Sequence, residues 1–166
     1  MIRNSLALVG LLVGADFAGA ASTFGGGYDD ERMHWTVGEV SGMRVDYPAG
    51  IFAVDFGPSD KGPGRVLRSD DGTAGFTFYM QPNTEHDTPA SFLRSRLSAP
   101  RTKIGYVRVT ERFVAVSGVR EGRIYYGRCN FPDGASGPIH CMELVYSKSE
   151  KRLWDPIVTR ASLSLR

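Results

Sequence analysis

The chain has 166 residues, about one domain's length, with 42% hydrophobic residues, 23% charged residues and a formal net charge of +2. That composition carries a packed core and excludes global disorder. The balance of charge is too weak to mark a nucleic-acid binder.

The first 20 residues read as a secretory signal peptide. MIRN carries one Arg, LALVGLLVG is a short apolar run, and Ala18 and Ala20 supply the small residues for cleavage near Ala20. The run is shorter than the about 20 residues that a membrane helix needs, and nothing later in the chain is long and apolar enough. The mature chain is therefore expected to have no integral membrane segment and to be periplasmic or secreted. Residues 21–32 read as a flexible tail, with glycines at 25–27 followed by Asp29, Asp30 and Glu31. Residues 33–166 read as a single α+β domain in which order begins near His34 and Trp35.

Within that domain GMRVDYPAGIFAVDF, residues 42–56, reads as two extended pieces around a Pro-Ala-Gly turn, and GPSDKGPG as a loop. RVLRSDDGTAGFTFYM reads as a hairpin turning at Asp71-Gly72, with Phe76, Phe78 and Met80 on one face. After the loop QPNTEHD, TPASFLRSRLS predicts a short helix with Thr88 as N-cap, Pro89 at its first position, and Phe92, Leu93 and Leu97 on one face. Residues 104–131 are rich in β-branched and aromatic residues and turn at Glu121-Gly122, which sets Val119 opposite Ile124 and Val114 opposite Cys129. IHCMELVY adds a strand, so the second half predicts an antiparallel meander. SEKRLWDPIVTRASLSLR closes as a helix with Leu153, Ile157 and Ala161 on one stripe, widened by Trp154, Val158 and Leu165. Pro156 there predicts either a kink or a restart capped by Asp155.

The two cysteines fall on the last two strands of the meander. If Phe131 faces Ile139, then Asn130 faces His140 and Cys129 faces Cys141. Directly opposed residues are close enough for a bridge with small adjustment, and export supplies an oxidising compartment. Cys129–Cys141 is therefore expected to be a disulfide. The same register sends Cys129 and His140 to opposite faces, which argues against a thiol–imidazole pair. A zinc site would need two more ligands, and His34 and His86 are remote in sequence.

Other chemistry is weakly signalled. No G-x-S-x-G elbow is present, and Ser117 in AVSGV sits in a strand. His86 lies between Glu85 and Asp87, which would suit an acid–base group but suits a solvated loop better. Asp55, Asp60, Asp70 and Asp71 lack EF-hand spacing and read as turn residues. GGG at 25–27 and GPGR at 62–65 are not phosphate loops. Tyr125 and Tyr126 must face opposite layers. No catalytic residue, metal ligand or cofactor is assigned. Residues 21–100 hold seven Lys/Arg against eleven Asp/Glu, and residues 101–166 hold twelve against six, so the meander is the basic half.

The order of these elements resembles the PsbP/Mog-like superfamily, in its exported bacterial branch of unknown function. The resemblance rests on the YPAG element at 47–50, the segment TPASFL, the meander, and the closing phrase WDPIVTRASLSLR. It covers about residues 35–166 and implies an antiparallel sheet of about six strands flanked by helices, an α/β/α sandwich. It also implies an accessory role without shared catalytic residues. The function expected is an exported, non-catalytic, protein-binding module of the bacterial cell envelope, using loops 57–64 and 81–88 or the basic side of the meander. A small secreted hydrolase built on His86 or His140, and a carrier of a small apolar ligand, are the alternatives.

Overall fold

A computed structural model describes residues 33–97 and 103–166. The expected signal peptide and tail lie outside these residues. A hairpin of β1 (Trp35–Val40) and β2 (Met43–Pro48) leads into β3 (Val54–Pro58), β4 (Gly64–Arg68) and β5 (Gly75–Gln81). The short α1 (Pro89–Phe92) continues as a π-helical turn over Leu93–Leu97. Then come β6 (Lys103–Val109), β7 (Phe113–Arg120), β8 (Arg123–Asn130), β9 (Ile139–Ser147) and α2 (Lys151–Ser164). The class is α+β.

Seven strands, one more than expected, form one antiparallel sheet in the order β3-β4-β5-β9-β8-β7-β6. The β1–β2 pair is a separate two-stranded sheet, in which β1 precedes the two extended pieces that residues 42–56 suggest. Its turn is Ser41-Gly42, both with positive φ (48° and 86°), as at Glu121-Gly122 (52° and 75°). Two left-handed residues give the turn whose twist matches a hairpin's strands. The meander keeps the register read from sequence: Val119 opposite Ile124, Val114 opposite Cys129, Asn130 opposite His140, and Cys129 opposite Cys141.

Each face of the sheet has its own apolar cluster. On one face Phe76, Phe78, Ile124, Met142, Leu144 and Tyr146 meet the hairpin and α2. Trp154 of α2 packs against Phe52 (centroids 5.7 Å apart) and stacks on Tyr146 (5.2 Å). Backbone bonds in both directions between Arg44 and Arg166 (2.7 and 3.0 Å) pin the chain after α2 to β2. The helix runs unbroken through Pro156, so Asp155 caps no second helix; it pairs instead with Lys151. Pro156 is exposed, so the carbonyl it leaves unbonded faces water rather than the core.

The other face carries the smaller cluster of Tyr79, Phe92, Val114, Val116, Phe131 and Ile139 around the cysteines. Thr88 caps α1 through a reciprocal bond with Ser91. That fixes the helix so that Phe92 meets the Phe131 ring edge-on at 5.7 Å. Leu93 joins this cluster; the Leu97 side chain lies outside what is described. Cys129 and Cys141 are bridged, with Cα atoms 4.1 Å apart, the close-spaced kind of antiparallel pair.

Two stability outcomes follow from this packing. The bridge spans 12 residues, and closing such a loop contributes about 3 kcal/mol on the chain-entropy model. The Cys129→Ala/Cys141→Ala protein should lose about that much in urea unfolding, and alkylation of the native protein should label neither cysteine unless reductant is present. At Gly38 an added Cβ would lie 2.7 Å from the Phe78 ring. Gly38→Val should therefore lift the β1–β2 hairpin from the sheet and cost about 1–3 kcal/mol in the same assay.

Candidate functional site

Helix α2 crosses β2, β9 and β8 and stops short of the sheet's far edge. Side chains alternate along strands, so Tyr106 and Arg108 of β6, Phe113 and Ser117 of β7, and Tyr126 and Arg128 of β8 share the face on which α2 lies. Between them and α2 runs a groove of three adjoining compartments. The first, about 520 Å³, lies between Ile124, Tyr146, Lys151 and Asp155. It shares Tyr106, Tyr126, Val158 and Thr159 with a middle compartment of about 250 Å³. That one shares Phe113 and Arg128 with a third, of about 310 Å³, lined also by Arg112, His140 and Arg166.

The groove's polar groups sit in an apolar frame. Tyr126 Oη and Ser162 Oγ are 2.7 Å apart, and burial holds the Tyr126 phenol above its ordinary pKa. Burial also pushes Tyr146 up to about 12, with help from Asp155. Arg128 donates to Asn130 Oδ1 (2.9 Å) and Ser162 Oγ (3.2 Å) and lies 4.1 Å from the centroid of the Phe113 ring. Burial, and the nearby Arg108, draw its pKa down. Arg108 lies 5.4 Å from the same ring. Among the described residues Arg108, Arg112, Arg128 and Arg166 form no ion pair.

His140, at the floor of the third compartment, is 7% exposed, and its Nδ1 is buried without a hydrogen-bond partner among the described residues. Burial lowers its pKa from 6.5, opposed by the Arg166 carbonyl and by Asp133. Cys129 points to the opposite face, into the cluster under α1. His34 and His86 are exposed; His86 Nδ1 lies 3.3 Å from the Ala135 carbonyl. No histidine is hydrogen-bonded to a serine among the described residues, and these hold no cluster of three or more His, Cys, Asp or Glu placed for a metal. Asp71 accepts from the Ser69 and Thr73 hydroxyls and the Thr73 amide, and Asp55 from the Gly57 amide, so both close turns.

Of the two loops read from sequence, each has one polar side chain engaged internally, Lys61 and Asn83. Lys61 is bound to Glu143 at 2.6 Å and sits over Tyr79. Asn83 bonds both backbone groups of Asp87 and the Ala135 carbonyl. Tyr125 turns to the α1 face and Tyr126 into the groove. The alternation of Phe113, Tyr126 and Arg128 was present in sequence, but the groove they line depends on where α2 ends, which no local signal marks. No helix of the described residues is long and apolar enough to cross a membrane. No protein-family model matches the chain, and a search of curated proteins finds no match.

The buried His140 sets a sign for acid sensitivity. Its folded pKa lies below the unfolded value of 6.5, so between the two the unfolded chain binds more protons and stability falls as pH falls. This contribution is absent well above 6.5 and grows as pH falls through 6.5 towards the lower folded pKa. Urea unfolding across that window should show a shallower slope for His140→Gln than for the parent protein.

Proposed function

We propose that the chain is an exported, non-catalytic accessory module of the PsbP/Mog-like kind, which binds an extended, acidic segment of a partner protein along β6. The carrying observation is the state of that edge strand. All seven residues of β6 are exposed. They include Ile104 at 44%, Tyr106 at 47%, Val107 at 45% and Val109 at 40%. An edge strand offers unpaired backbone groups to an incoming strand. Both edges carry one register shift, but the opposite edge, β3, is shorter and closed by Pro58, features that discourage strand addition.

Charge supports the choice of partner. Residues 103–130 hold six Lys/Arg against two Asp/Glu, and a basic edge attracts an acidic segment. The groove beside β6 offers room for alternate side chains of a bound strand. The buried disulfide fits a periplasmic or extracellular setting. A helix over each face of the sheet is also the layout that an α/β/α sandwich of that superfamily would have. A carrier would need an enclosed apolar cavity, whereas Tyr106 leaves this groove open to solvent.

The test is capture from native envelope extract by the immobilised protein, run beside the double variant Tyr106→Ala/Arg108→Glu, whose changed side chains are exposed. One protein held in stoichiometric amount by the parent should be lost about tenfold or more by the variant, and should leave as salt rises. Hydrogen exchange of the complex should slow at β6. Equal capture by the variant, unchanged exchange at β6, or no stoichiometric partner would overturn the reading.

A further inference from the structure

The third compartment of the groove asks for a ligand of its own. It lies where the β6–β7 turn, the end of β8, the start of β9 and the end of α2 converge, and it holds about 310 Å³. Phe113, Phe131, Pro132 and Leu165 give it apolar walls. Arg112 and Arg166 stand at its exposed rim, and Arg128 at its inner side is half-buried with only neutral partners. Arg108 shares the Phe113 ring with Arg128, so like charges are crowded where burial already disfavours them. His140 brings a buried nitrogen without a partner, an arrangement that folded proteins seldom leave unexplained.

The end of a helix attracts cations, because the macrodipole leaves about half a negative charge there. That accounts for part of this cluster and not for all of it. The Leu165 carbonyl is already taken by Asn130 Nδ2 at 2.7 Å, and the Arg166 carbonyl by the Arg44 amide at 2.7 Å. About half a charge is matched by one guanidinium, and four converge on this end of the groove.

We propose that this compartment is a binding site for a small oxyanion, a carboxylate or phosphate carried on an apolar or aromatic body. Arg128 and Arg112 bind the anion, and the Phe113 and Phe131 side receives the body, over the buried His140. The guanidinium fork matches both anions in bidentate fashion. The site does not rest on a protein partner at β6.

The purified, oxidised protein is titrated with benzoate and, separately, with inorganic phosphate at low ionic strength, followed by amide chemical shifts and calorimetry. Saturable binding is expected, with shifts centred on Phe113, Arg128, Asn130 and His140. Tighter benzoate marks an apolar carboxylate as the ligand class, and tighter phosphate marks a phosphate. Arg112→Met, at an exposed turn, should weaken binding about tenfold or more, and Arg128→Met likewise where it folds. Arg120→Met, a basic residue outside the compartment, should bind as the parent does. No saturable binding of either probe, or an equal loss in Arg120→Met, would overturn the proposal by reducing the cluster to a general positive field.

Discussion

Strand β9 is the member on which the rest of the molecule depends. It pairs along its length with β5 on one side and β8 on the other, and so joins the strands that precede α1 to the meander that follows it. Both clusters are built on its two faces. Met142, Leu144 and Tyr146 point toward α2, and Ile139 and Cys141 toward α1. Because the period of a strand is two, a slip of one residue would exchange these sets. It would carry Cys141 away from Cys129 and put His140 among the aromatic residues under α1. The disulfide holds the register at the end of the strand where the meander turns into it.

The central placing of β9 has a second consequence. The chain must cross from β5 to the far edge before it can return, so β6 begins the meander as an edge strand. The helix that follows β9 lies over the middle of the sheet and not over that edge. Trp154, Ile157 and Ala161 seat it against the β1–β2 hairpin and β9, and the Arg44–Arg166 bridge stops it from tilting outward. The groove is the space this leaves between α2 and the outer strands. Its residues are thus organised by the core without being members of it, which is how a rigid scaffold presents a binding surface.

Local chemistry made much of the framework readable. Thr88 followed by Pro89 marks a helix start because capping needs a side-chain acceptor and a residue that does not need its N–H. Glu121-Gly122 fixes the β7–β8 register, because a two-residue turn leaves only one pairing and sets Val114 opposite Cys129; the cysteines face each other in the separate β8–β9 register, in which Asn130 lies opposite His140. The turn at Ser41-Gly42 uses the same backbone geometry, but β1 lies ahead of the two extended pieces that residues 42–56 suggest. The sheet has one strand more than the resemblance implies: β3 falls in the extended piece IFAVDF, whereas β6 and β7 divide at Thr110, Glu111 and Arg112, which include no Gly, Pro, Asn or Asp to mark a turn. Of the candidate site, Tyr126 and the basic meander were visible as residues, whereas the stack of Arg108 and Arg128 on Phe113 joins three strands.

Sequence alone determined what depends on near neighbours: the turns, the α1 cap, the stripe of α2, the alternation of the meander strands and the disulfide that follows from it. Tertiary structure decided what depends on distant partners. It inserted β9 beside β5, carried α2 unbroken past Pro156 because that residue faces water, and buried His140 while leaving its Nδ1 unpaired. It also gathered guanidinium groups from β6, the β6–β7 turn, β8 and the segment after α2 at one end of a groove. Hydrogen-bonded turns and side-chain periodicity act over a few residues and are written locally. Which face a helix covers, and which it leaves open, is fixed by the packing of the whole core.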